Sequence, residues 1–202
     1  MKRILGIVFV IATNWCNSQN ETDVANIKTQ FDYASLLLEQ NTPFDALREF
    51  IKISNGNPKN DLVRISRVKT DSLLEVTRTI VKQGLKGKWQ KISSYDENGE
   101  YKITEGVNSY LEITDHYFIF YRTADDTKEI IIEKKEPIMF GRFDPKFESS
   151  KYGFLFSDNS LWTITLTENA EYLSTLHIGD ETPISRSVIS CGGEANSYKK
   201  VN

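Results

Sequence analysis

The sequence predicts an α+β chain: a helical segment over residues 19–84, then an antiparallel β-barrel or sandwich of about 8–10 strands over 85–191, and a C-terminal tail at 192–202. Three observations carry this. Apolar residues recur at helical spacing up to Gly84. Beyond it, short β-rich runs alternate with turn residues and hold 17 of the chain's aromatic residues. Several of those runs are apolar on both faces, so both faces need cover.

In the helical part, Val24, Ile27, Phe31, Ala34 and Leu38 fall on one helix stripe. Thr42-Pro43-Phe44-Asp45 reads as a helix start, with Thr42 as N-cap, Pro43 in the first turn and Asp45 at the positive end of the dipole. Phe44, Leu47 and Phe50-Ile51 form its apolar side, and Ser54-Asn55-Gly56-Asn57-Pro58 breaks the chain. A further helix starts at Asp71 or Ser72, with Glu75 placed for a capping box. It turns Leu73, Val76 and Ile80 inward and ends on Gly84. Leu62, Ile65 and Val68 also suit a backward extension of that helix.

Strands are expected near 87–95, 100–104, 107–114, 116–122, 128–134, 137–143, 151–157, 160–167, 170–178 and 185–191. The turns between them are marked by Glu97-Asn98-Gly99, Ala124-Asp125-Asp126, Asp144-Pro145, Ser157-Asp158-Asn159 and Gly179-Asp180. Tyr117, Ile119 and Tyr121 share one strand face and Phe118 and Phe120 the other; Tyr152, Phe154 and Phe156 oppose Leu155. One face of such strands suits a barrel interior, and the helical segment is the natural cover for the other.

Composition excludes several classes. The 202 residues are 39% hydrophobic with a net charge of −3, which excludes a disordered chain and a broad basic field for nucleic acid. Two cysteines cannot form a disulfide scaffold. Lys2 and Arg3, the apolar run Ile4–Ala12, and Cys16 and Ser18 at the −3 and −1 positions have the layout of a secretory signal peptide over 1–18. The leader resembles those of exported Gram-negative bacterial proteins, which implies a periplasmic or extracellular protein of the bacterial envelope. A lipid anchor on Cys16 is disfavoured by Trp15 before it, and no run approaches the 18 apolar residues of a membrane span. After cleavage only Cys191 remains, so packing must hold the fold without an internal disulfide. Asn20-Glu21-Thr22 matches a glycosylation sequon, to which a bacterial leader gives little weight.

Leu85-Lys86-Gly87-Lys88-Trp89-Gln90 opens the β half with a Gly-x-Trp at the head of its first strand. This resembles the lipocalin-like (calycin) barrels, including the lipocalin-like domains of exported bacterial proteins, over 85–191. The resemblance implies that Gly87 and Trp89 close the narrow end of the barrel, with Arg186 laid over the indole. It also implies a non-catalytic protein that binds a small apolar ligand in the barrel. The residues then expected to line that site are Tyr117, Ile119, Tyr121, Phe154 and Trp162.

No catalytic residue, metal site or cofactor is expected. His116 alternates with Phe118 and Phe120, and His177 stands near a strand end before Gly179-Asp180-Glu181, without a second His or Cys to complete a ligand set. Nothing in their spacing joins Cys191 and His177 as a nucleophile and its base. Two other readings stay open. One is a protein-binding envelope module, an inhibitor or complex subunit with a filled barrel. The other is an enzyme on a cone-shaped α+β fold of the nuclear-transport-factor type, with a pocket holding His116 or His177.

Overall fold

The structure, a computed structural model, describes residues 25–95, 100–103, 108–145, 151–189 and 193–201. The leader, Cys16, the sequon and Cys191 lie outside the described residues. Among the described residues, three helices precede ten antiparallel strands. The chain divides between Thr77 and Arg78 into two compact units, ahead of the boundary expected after Gly84.

The first unit is helical. Helix α1 covers 25–39, with Ala34 and Leu37 buried and the Phe31 ring edge-on to Phe50 at 5.5 Å. Asn41 adopts a positive φ of 57° at the turn, a conformation that asparagine tolerates. Helix α2, Pro43–Ser54, starts where its Pro predicts and buries Ala46, Leu47, Phe50 and Ile51, while Phe44 is exposed. Thr42 holds the N-cap position without capping: its hydroxyl donates back to the Leu37 carbonyl at 2.8 Å.

Helix α3, Asp61–Leu85, begins well before Asp71. The side chain of Asn60 accepts from the Leu62 N–H at 2.8 Å, so Asn60 is the cap and Glu75 lies mid-helix. Its buried stripe is Val63, Ser66, Thr70, Leu73, Leu74 and Thr77, whereas Val76 and Ile80, expected inward, are exposed. Gly84 lies inside the last turn rather than after it.

The second unit is the end of α3 from Arg78 together with the sheet. The strands are β1 Gly87–Tyr95, β2 Tyr101–Ile103, β3 Ser109–Ile113, β4 Tyr117–Thr123 and β5 Ile130–Pro137, then β6 Gly153–Leu155, β7 Ser160–Leu166, β8 Tyr172–Glu181, β9 Arg186–Val188 and β10 Ala195–Val201. Their order is the open path β5-β4-β3-β1-β10-β8-β7-β6, with β2 paired to β1 and β9 to β8.

Two expectations are corrected here. Residues 137–143 do not form a full strand: past Pro137 there is one bridge, Phe140 to Phe154. Residues 195–201 are not a tail but β10, paired on both sides between β1 and β8.

A cluster of buried side chains organises this unit: Leu85, Trp89, Leu111, Ile113, Phe118, Phe154, Phe156, Ile164, Leu173 and Tyr198. Strands from opposite halves of the path share it, since Phe118 of β4 meets Phe154 of β6, the last strand of the path, edge-on at 5.0 Å. The stretch after β5 also bonds in both directions. Ile138 donates to the His116 carbonyl at 2.8 Å, and Leu155 of β6 donates to the Met139 carbonyl at 2.9 Å.

Candidate functional site

Along β1 the side chains of Trp89 and Lys91 point to one face, because alternate residues of a strand share a face. On β10 the matching residues are Lys200 and Tyr198, with Asn196 next. Polarity rises along this face away from α3. The first pair is the fully buried Trp89 with Lys200; the second is Lys91 with Tyr198.

Trp89 donates from Nε1 to the Leu85 carbonyl at 3.1 Å. That carbonyl is one of the last four of α3, which have no partner within the helix, so the indole caps the helix from the core. Gly87 precedes it with φ of 142°, a backbone that L side chains avoid. The cation over the indole is Lys200, 5.5 Å from the ring centroid, not Arg186. Arg186 lies on β9, which pairs only with β8, and its guanidinium is held by the Glu181 carboxylate and the Arg142 carbonyl.

Further along the same face lies a cavity of about 340 Å³. Its apolar wall is Phe120, Phe156, Trp162 and Ile164; facing polar groups include Lys91, Thr175, Asn196 and Tyr198, with Glu133, Lys134, Asp158 and Glu194 also lining it. The indole of Trp162 is fixed from three sides. Its Nε1 donates to Ser160 Oγ at 2.8 Å, Phe156 stacks at 6.0 Å, and the His177 ring backs it at 5.1 Å. His177 Nε2 also lies 2.8 Å from the Gly179 carbonyl oxygen.

Most charges around this cavity are paired. Lys134 meets Asp158 at 2.8 Å and Glu136 at 3.1 Å. Burial disfavours the Asp158 carboxylate, but bonds from Lys134 and Ser160 outweigh it and hold its pKa at about 2. The same balance, with Ser157 donating from both backbone and hydroxyl, lowers Glu136. Burial pushes the Tyr198 phenol well above its ordinary value. Lys91 is lowered by burial, against the opposing field of Glu194 and Glu133.

Comparison with family models, with curated proteins and with solved structures finds no match for this chain. The site therefore rests on its own geometry.

Of the five side chains expected to line a ligand site, the structure places only Trp162 on this cavity. Phe154 is packed into the core between Phe118 and Phe140. Tyr117, Ile119 and Tyr121 occupy the face of β4 opposite Phe118 and Phe120: Tyr121 stacks on Tyr110 at 5.3 Å, and the Lys135 ammonium sits 4.0 Å from the Tyr117 ring centroid. His116 is exposed in the turn before β4 rather than in a strand. Lys91, Phe120, Phe156, Thr175, Asn196 and Tyr198 were not anticipated. Trp89 and Lys91, two apart on a strand that opens with a core indole, carried the one usable signal.

Among the described residues, no group of three or more His, Cys, Asp or Glu side chains could hold a metal ion, and no helix is long and apolar enough to cross a membrane.

Proposed function

We propose that this is an exported, lipocalin-like binding protein whose sheet curls into a barrel and holds one small amphipathic molecule in its upper interior. Support for the curl comes from the shared core of β4 and β6 and from the bonds of Met139 and Gly141 to β6. Support for an export leader comes from the sequence of residues 1–18.

The single observation that carries the binding reading is the cavity, with an aromatic wall on one side and polar groups on the other. Its volume lies near the lower end of the roughly 300–1,000 Å³ of ligand pockets. It refines the expected apolar ligand to an amphipathic one. A filled interior would have favoured a protein-binding module instead.

The test is titration with the environment-sensitive dye anilinonaphthalene sulfonate, with Ser109→Trp as control, since Ser109 lines the cavity and is half-buried. The wild-type protein binds one dye with enhanced emission, and the folded Ser109→Trp variant does not. Equal binding by both would overturn the assignment of the site.

A further inference from the structure

Two polar groups on the cavity wall lack a protein partner, one of them fully buried. The first is Asn196, only 7% exposed: its Nδ2 donates to Glu194 at 3.3 Å, yet its Oδ1 is buried with no hydrogen-bond partner. The second is Lys91. Glu133 faces Arg122 Nε at 3.4 Å, Asp158 and Lys134 hold each other, and Glu194 accepts from Asn196. Among the described residues the Lys91 side chain makes no hydrogen bond and no ion pair, although Lys91 is half-buried. A buried acceptor left unmet is a costly arrangement, and a half-buried ammonium with no contacting anion gains from one. A ligand that satisfies both recovers that cost.

We infer that the cavity takes a flat aromatic monocarboxylic acid bearing an N–H or O–H beside its carboxylate. The inference rests on the binding reading above and names its ligand class. The carboxylate pairs with Lys91, the adjacent donor meets Asn196 Oδ1, and the ring lies against Trp162 and Phe156. Each element follows from one feature: the uncontacted ammonium asks for an anion, the orphaned amide oxygen for a donor, and the fixed aromatic wall for a flat π-face. Glu133, Glu194 and Asp158 around the same space repel a second acidic group, which restricts the class to monoacids.

Indole-2-carboxylate, its N-methyl derivative, its methyl ester and plain indole separate these contributions by calorimetric titration of the purified protein. The acid binds about tenfold or more tighter than the ester, and about threefold or more tighter than the N-methyl acid. In Lys91→Gln the acid falls to the affinity of the ester while the ester is unchanged. Asn196→Leu loses only the preference for the free N–H. Circular dichroism melting confirms that both variants are folded; if Asn196→Leu is not, the N-methyl comparison in the wild-type protein carries that arm. An ester that binds as well as the acid, or a Lys91→Gln variant that keeps the preference, overturns the inference and leaves the binding site standing. Failure of all four compounds and of the dye removes the binding reading itself.

Discussion

Replacing Trp89 tests whether one indole joins the last helix to the sheet. Trp89 is fully buried, and its Nε1 is a donor to the Leu85 carbonyl. Truncation to Ala removes the ring from a packed core, which costs about 3–5 kcal/mol. It also strands the carbonyl of Leu85, itself 2% exposed, for about 1–3 kcal/mol more. The loss is comparable to the whole stability of a small domain, about 5–15 kcal/mol. Trp89→Phe keeps an aromatic ring under Lys200 and loses the hydrogen bond and part of the volume, so about 1–3 kcal/mol is expected. With a urea slope of about 1–3 kcal/mol per molar, that is a midpoint shift of roughly 1 M. Urea unfolding followed by circular dichroism in the β region reads both variants, and dye binding by Trp89→Phe stays at the wild-type level because Trp89 does not line the cavity. A Trp89→Ala variant within about 1 kcal/mol of wild type would refute the reasoning, as would Phe costing as much as Ala.

Further outcomes follow from other contacts. Burial raises the carboxyls of Glu136 and Glu181, but their hydrogen bonds and cations lower both below 4.5, so the carboxylates bind protons less readily folded than unfolded. Their stabilisation is complete above pH 4.5 and is lost as the pH falls through the folded values; Glu136→Gln should flatten that acid limb in a melting-temperature profile. At the alkaline end the raised Tyr198 phenol has the opposite sign: the unfolded chain loses that proton first, so stability drops above pH 10, and Tyr198→Phe should blunt the drop in the same profile. Gly179→Ala should cost about 2–4 kcal/mol by urea titration, because φ there is 147° and an added Cβ overlaps the Ser187 carbonyl oxygen of β9. Removing residues 195–202 should abolish cooperative unfolding of the sheet and the β signature in circular dichroism, since β1 and β8 then lose their shared neighbour.

The sequence was legible where local chemistry decided structure. Pro43 set the start of α2, Gly56 and Pro58 broke the chain after it, and strand β1 was bounded by Gly87 and Tyr95 as expected. It was misread where the burying surface was itself polar. β10, Ala-Asn-Ser-Tyr-Lys-Lys-Val, carries Asn196, Tyr198 and Lys200 on its inward face. A strand that lines a polar cavity lacks the apolar alternation by which half-buried strands are recognised, and two glycines before it imitate a tail. On β4 the difficulty was the reverse. Both faces are apolar, so alternation alone could not say that Phe118 and Phe120, rather than Tyr117 and Tyr121, look inward. The early start of α3 was signalled by Asn60, but the Ser66 and Thr70 positions on its buried stripe weakened the periodic pattern.

The placement of β10 governs how this molecule can come into being. The strand latest in sequence lies hydrogen-bonded to the earliest, so Trp89 cannot find its partner Lys200 until about a hundred intervening residues have been made. Such long-range pairing slows assembly and leaves strand edges bare meanwhile. During folding, then, β1 must wait with an open flank while every later hairpin forms, and the cavity wall that Asn196 and Tyr198 supply is the last part to be added.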